Sequence, residues 1–370
     1  MKFNCNTKEL SVACNNVKSA VSTKGTIPTI EGILIECDAN KVSLVGYDFE
    51  FGINTILDVE MDEPGAIVIN AKVLCDIIGK LADETVMIET NDTSVSIISG
   101  ASHYTITGID ANDYPELPSV NNGTTISFDQ DIIYSMVSQT LFAVADSESG
   151  MPVYTGLKFH IKDGEFTLIG VDGFRLAIRK EHIDYSGDEI EFIVPKKTIR
   201  ELIKIFDGKD ENKLNINVGK RHIIFEIGNY SIISRLLEGE FIDYRTAIQN
   251  TIKTTVLINT IDAISCIQRT LPVIENNQRN PIRCLFDADE MRVSTVSSLG
   301  RFVDYTHANT SGARVEIGFN SKFMLDALNA VDTDEVKFEI AEPTSPVQIK
   351  PINGDNFLFL VLPMRMRNEN

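Results

Sequence analysis

Three stretches of the chain, AIVINAKVLCDIIGKL, EFIVPKKTIRELIKIF and EIGFNSKFMLDALNAV, repeat one design: an alternating strand reaches a turn residue and passes into a helical pattern. The turn residues Asn70, Pro195 and Asn320 stand 125 residues apart, since 195 minus 70 and 320 minus 195 give the same interval, and Lys72, Lys197 and Lys322 keep it too. A period of this length is a whole small domain and not a solenoid unit. Upstream, FNCNTKELSVACNNVKSAV, ISFDQDIIYSMVSQTLFAV and TVLINTIDAISCIQRTLPV each read as a short strand followed by an amphipathic helix. VSLVGYDFEFG and FTLIGVDGFRLAI match at Gly46 and Gly170, with MRVSTVSSLGRFV a weaker third copy. GIDANDYPEL and EGEFIDYRTA align at Asp113, Tyr114 and Asp243, Tyr244, whereas the third repeat closes with VLPMRM. The pattern predicts an α+β chain of three repeated domains, each with two helices packed on antiparallel sheets, over 1–121, 122–250 and 251–370. The joins fall in the polar stretches PSVNNGTT and IQNTIKTT.

Charge sets the next constraint. Lys and Arg number 34 against 53 Asp and Glu, a formal net charge of -19, which repels nucleic acid at long range and requires any DNA contact to come from a locally basic surface. The six cysteines, Cys5, Cys14, Cys37, Cys75, Cys266 and Cys284, form no C-x-x-C pair and no metal-finger spacing, so reduced thiols in a cytoplasmic protein are expected and no metal or cofactor. The start MKFNCNTKEL has no apolar signal region, and the greasy run Phe357 to Met364 is far shorter than the roughly 20 residues that span a bilayer.

Some helix faces nevertheless stay neutral to basic. In the first helix Leu10, Ala13, Cys14, Val17 and Val21 form an apolar stripe, with Lys8, Ser11, Asn15 and Lys18 opposite. In the second helix of the second repeat, Ile199, Leu202, Ile203 and Phe206 point inward and Lys196, Lys197, Arg200 and Lys204 outward; Lys72 and Lys322 fall on the matching faces of the other repeats. Such faces suit sequence-independent contact with phosphates.

Catalytic constellations are missing. The Gly-Lys pairs at Gly79, Gly208 and Gly219 are not followed by Ser or Thr, so no phosphate loop forms. The histidines His103, His160, His182, His222 and His307 are scattered, and no positioned partner can be argued for the serines of DSESG. No enzyme is expected. The alternative from another class, a metal-dependent nuclease, would rest on acidic pairs such as Asp62 and Glu63.

The three repeats, together with GVDGFRLA, GEFIDYR and the terminal VLPMRM, resemble the bacterial DNA polymerase III β subunit family, the sliding clamps, over essentially the whole chain. The resemblance implies a head-to-tail homodimer forming a ring around duplex DNA, a replication processivity factor that tethers DNA polymerase, clamp loader and repair proteins through short linear motifs. It implies a partner-peptide pocket at Val171, Gly173, Phe174, Arg175, Leu176, Ile242, Thr246, Ala247, Pro346, Val361, Leu362, Pro363, Met364, Arg365 and Met366. It adds DNA contacts at Lys24 and, in the loop Ser147 to Met151, at Ser149, and a subunit contact at Tyr104, Leu271 and Ile274. Phe174 and Thr246 depart from the more polar or basic residues common there. A diverged clamp-like scaffold that has lost its replication partners is the alternative within this class.

Overall fold

Residues 1–22, 27–121, 123–146, 151–206, 208, 213–274 and 281–366 are described by the computed structural model. Within them the first repeat runs β1 (Lys2–Asn6), α1 (Thr7–Lys18), β2 (Gly32–Asp38), β3 (Lys41–Tyr47), β4 (Phe51–Asp58), β5 (Glu60–Glu63), β6 (Gly65–Asn70), α2 (Ala71–Ile78), β7 (Thr85–Asn91), β8 (Ser94–Ser99) and β9 (Ser102–Thr107). The second runs β10 (Thr124–Phe128), α3 (Gln130–Ser138), β11 (Gly156–Lys162), β12 (Glu165–Val171), β13 (Arg175–His182), β14 (Ile190–Pro195), α4 (Lys196–Ile205), β15 (Leu214–Val218), β16 (His222–Ile227) and β17 (Tyr230–Arg235). The third runs β18 (Thr254–Asn259), α5 (Thr260–Gln268), β19 (Ile282–Asp287), β20 (Glu290–Ser297), β21 (Gly300–Gly312), β22 (Val315–Phe319), α6 (Ser321–Asn329), β23 (Glu335–Ile340), β24 (Val347–Pro351) and β25 (Phe357–Val361).

Local chemistry explains why the helices start where they do. Asn6, Asn70, Asn259 and Asn320 are N-caps whose side-chain oxygens accept the free N–H groups of the first turns of α1, α2, α5 and α6. The apolar stripe expected on α1 is fully inside: Leu10, Ala13, Cys14 and Val17 are buried, as is Val21 just beyond the helix. Gly46 and Gly170, the matched glycines, sit where a strand passes close under a helix end. A Cβ at Gly46 would lie 2.5 Å from the carbonyl oxygen of Val17, and one at Gly170 would lie 2.5 Å from that of Thr140.

The chain forms two compact units, Met1–Asp131 with Lys197–Leu236, and Ile132–Lys196 with Leu237–Asn370. The first holds a five-stranded sheet, β5-β1-β7-β8-β9, and an eight-stranded sheet, β10-β15-β16-β17-β4-β3-β2-β6; the second holds a twelve-stranded sheet, β14-β11-β12-β13-β25-β24-β23-β18-β21-β20-β19-β22. Each unit contains one junction between successive repeats. In the first, β4 pairs antiparallel with β17, setting Ile53 opposite Ile232. In the second, β13 pairs antiparallel with β25, setting Ala177 opposite Phe359.

The two junctions are copies of one another down to single bonds. Ile56 N–H donates to Asn229 O at 3.2 Å and Arg235 N–H to Glu50 O at 2.8 Å; at the corresponding places Lys180 N–H donates to Asn356 O at 2.8 Å and Leu362 N–H to Phe174 O at 2.9 Å. Each repeat also closes with the same bond: Ile109 N–H donates to Val68 O at 2.8 Å, Leu237 N–H to Ile193 O at 2.9 Å, and Met364 N–H to Gly318 O at 2.7 Å. Ile109, Leu237 and Met364 are therefore equivalent places in the three repeats, and beyond the first two of them Tyr114 and Tyr244 pack on the corresponding clusters around Val45 and Ile169. The greasy end of the chain is therefore the third copy of an anchoring segment.

The third repeat leaves its half of such a junction unused. Residues Gly300 to His307 of β21 pair with β20, and β18 takes up β21 only from Ala308 onward, so the outer side of the first half of β21 has no strand partner among the described residues. Likewise β9 pairs with β8 alone and ends its sheet.

Candidate functional site

The site is built on the β12–β13 hairpin. Its turn, Asp172 to Arg175, is an Asx turn: Asp172 Oδ1 accepts Phe174 N–H at 2.9 Å and Arg175 N–H at 3.0 Å. Gly173 has φ +90, the left-handed region that glycine reaches without cost, and an added Cβ there would meet nothing within 4 Å. Side chains alternate across the strands that follow. On one face Ile169, Val171, Leu176, Ile178 and Leu360 form a small buried cluster, covered partly by Tyr154, Phe241, Tyr244, Ala247 and Leu358. On the other face Ala177, Phe359 and Val361 join the large core of the third repeat.

The expected pocket residues thus divide. Val171, Leu176 and Ala247 come together in the apolar patch, with Ile242 and Thr246 exposed on the segment that carries Ala247. Pro346 precedes β24, whose Gln348 stands opposite Leu360 and donates to Gln249 O at 2.8 Å, tying that segment down. Val361 does not line the patch; strand alternation turns it into the core behind. Arg175, its cross-strand partner, has its guanidinium 4.5 Å from the Phe323 ring and 5.6 Å from the Phe142 ring, with Nε donating to Asp172 at 2.9 Å and Nη1 to Asp326 at 2.5 Å. Phe174, at the turn, is 60% exposed and stacks on Phe323 with ring centres 6.0 Å apart. Leu362 and Arg365 are exposed and Pro363, Met364 and Met366 half-buried, held beside β22 by the Met364–Gly318 bond.

Tyr154, Phe241 and Phe323 were not singled out from the sequence, and Tyr244 only as half of a repeated Asp-Tyr pair. Phe241 and Tyr154 meet edge to face at 5.7 Å. Phe241 and Tyr244 stand inside the GEFIDYR motif and could have been taken from it.

The basic helix faces are less free than their spacing suggests. Lys196 is mostly covered and donates to Val144 O at 2.8 Å and Asp146 Oδ1 at 3.0 Å, so it is a strut and not a phosphate contact. Lys197 is half exposed, 2.6 Å from Asp48 Oδ2 and 5.1 Å from the Phe51 ring centre. Lys204 pairs with Glu201 at 2.7 Å. Lys72, Arg200 and Lys322 are exposed with no ion-pair partner among the described residues. Lys24 and Ser149 lie outside the described residues. Of the proposed subunit contacts, Tyr104 is half-buried on β9, Leu271 is exposed and Ile274 half-buried. Asp62, one of the pair behind the nuclease alternative, lies 3.9 Å from Lys2, and among the described residues no group of three or more His, Cys, Asp or Glu could hold a metal ion.

Comparison with known proteins covers all three repeats. The family model for the N-terminal domain of the DNA polymerase III beta subunit matches residues 1–118, that for the central domain 127–243, and that for the C-terminal domain 245–365. The chain belongs to the DNA polymerase III beta subunit family. Among its relatives, beta sliding clamps from Staphylococcus epidermidis and Halalkalibacterium halodurans are each 32% identical, over 362 and 366 residues, covering 95% of this chain and 96% of the relative. The DNA polymerase sliding clamp of Bacillus subtilis superposes with a TM-score of 0.95 at 29% identity, covering 99% of this chain and 100% of that one. The beta subunit family is one of sliding clamps, non-enzymatic processivity factors of DNA replication, so neither a catalytic centre nor the nuclease reading applies. No helix among the described residues is long and apolar enough to cross a membrane.

Proposed function

We propose that two copies of this chain close head to tail into a ring that encircles duplex DNA in the bacterial cytoplasm and tethers DNA polymerase, clamp loader and repair proteins through the patch on the β12–β13 hairpin. Its domains are read as 1–121, 122–250 and 251–370, supported by the three matched segments 1–118, 127–243 and 245–365.

The observation that carries the reading is the junction that occurs twice inside the chain and has two unused halves left over. Carrying the register of β4–β17 and β13–β25 over to β21 of one copy and β9 of another sets Phe302 opposite Tyr104 and Asp304 opposite Ser102. Tyr305 N–H, which otherwise reaches only the carboxylate of its neighbour Asp304 at 2.9 Å, then donates to Ala101 O, and Thr107 N–H donates to Leu299 O. Leu299 and Val73, which occupy the places of Phe174 and Phe323, are both exposed in the single chain and would meet. The turn at Leu271 to Val273 corresponds to the one that brings Phe142 within 5.3 Å of Phe359, which supports Leu271 and Ile274 as contacts. A heterologous contact of this kind closes into a ring when its rotation completes a circle.

A link by enclosure needs no tight grip, so weak contacts from Lys72, Arg200 and Lys322 to phosphates are enough, and they leave the clamp free to slide. Retention on nicked circular DNA, followed by gel filtration before and after the circle is cut, tests the reading. Loss of bound protein on linearisation is expected; equal retention on both forms would contradict it.

A further inference from the structure

Arg175 has its Nε on Asp172 and its Nη1 on Asp326, with aromatic rings at 4.5 Å and 5.6 Å, and its side chain is only 10% exposed. Its neighbours turn elsewhere: Phe174 before it faces solvent, and Leu176 after it is buried in the apolar cluster. Arg175 is thus the pivot of the turn, and what fixes the pivot is α6. Phe323 and Asp326 lie one turn apart on that helix, which is anchored by buried Met324, Leu325, Ala327 and Leu328 and by its Asn320 cap.

We propose that Asp326 is a positioning residue for partner docking, acting through Arg175 to hold the Phe174 ring in front of the apolar patch. The inference rests on the reading of that patch as the partner site. The other junction supplies the comparison. There Asp48 Oδ1 accepts Glu50 N–H at 3.1 Å and Phe51 N–H at 2.7 Å, forming the same turn, and the cation comes from the helix, as Lys197 over Phe51. The carboxylate, cation and ring are therefore general parts of a junction. Both turns carry an exposed aromatic, Phe49 in the first and Phe174 in the second, but at different places: Phe174 stands where the first has Glu50, and there it stacks on Phe323 of the helix. A planar guanidinium that bridges two carboxylates holds one orientation, which an ammonium cannot do.

The test uses the full chain and fluorescence anisotropy of a labelled peptide of the type Gln-Leu-x-Leu-Phe, with Asp326→Asn, Phe174→Ala, the double variant, Asp326→Glu and Arg175→Lys. Asp326→Asn and Arg175→Lys should each weaken binding about tenfold, and Asp326→Glu should recover most of it. In the Phe174→Ala background Asp326→Asn should change nothing further, because the ring it positions is gone. A full multiplicative loss in that background, or no loss in Asp326→Asn alone, would overturn the proposal while leaving the pocket in place. Failure of the unaltered chain to bind the peptide would instead remove the pocket reading and this inference with it.

Discussion

Met364 donates its N–H to the carbonyl of Gly318 at 2.7 Å, the bond that Ile109 makes to Val68 and Leu237 to Ile193 in the preceding repeats. Met364 and its neighbours Pro363 and Arg365 are therefore held at the edge of β22 by their backbone.

That pinning depends on Gly318 having no side chain. A Cβ would lie 2.8 Å from Met364 O and 2.8 Å from Met366 Cγ. Gly318→Ala should cost about 1–3 kcal/mol in urea unfolding, the range for overpacking a filled site. Peptide affinity should fall with it, as Leu362 to Met366 shift from their seat on β22.

Charge reversal separates phosphate contacts from struts. Arg200→Glu and Lys322→Glu should each lower the slope of log affinity for DNA against log salt by about 0.9 for every phosphate that is no longer neutralised, leaving unfolding unchanged. Lys196→Met should do the reverse, lowering stability with the salt slope intact, because Lys196 is committed to Val144 O and Asp146. Lys197→Glu should disturb both, since it sets a carboxylate against Asp48.

The pH dependence of stability has one assignable source on β11 and the loop that follows β13. A hydrogen bond from Lys162, and next one from His160, holds the Glu189 carboxyl down from its ordinary 4.5 to about 2. A carboxylate depressed in the folded chain stabilises fully above its unfolded value and loses that contribution as pH falls through its folded one. Acid unfolding curves of the unaltered chain and Glu189→Gln should therefore converge as pH drops from about 4.5 to about 2 and stay apart above it.

Much of this architecture was legible in the chain because the signals are local. Asn70 and Asn320 cap helices at a fixed interval, Gly46 and Gly170 answer the same close approach, and the α1 stripe follows helical periodicity. The errors lie where partners are distant in sequence. Lys196 and Lys197 read as free cations because Asp146 and Asp48 reach them from 50 and 149 residues away. Likewise nothing in GVDGFRLA announces that Arg175 is tied to Phe323 and Asp326, which come from another repeat.

The ring depends on the unpaired edges of β9 and β21, and a disulfide trap reads that contact directly. Ser102 and Asp304 become a directly opposed pair without hydrogen bonds between them, a pairing whose Cα atoms lie about 4.5 Å apart and can be bridged. All six native cysteines are buried and leave the introduced pair free to react. Oxidation of the Ser102→Cys, Asp304→Cys chain, followed by denaturing electrophoresis without reductant, should give a single product of twice the 41.1 kDa chain mass, bridged at both contacts. A ladder of longer oligomers would mean an open filament, and a product that stays monomeric would mean that these edges do not meet; either result would contradict the closed two-copy ring.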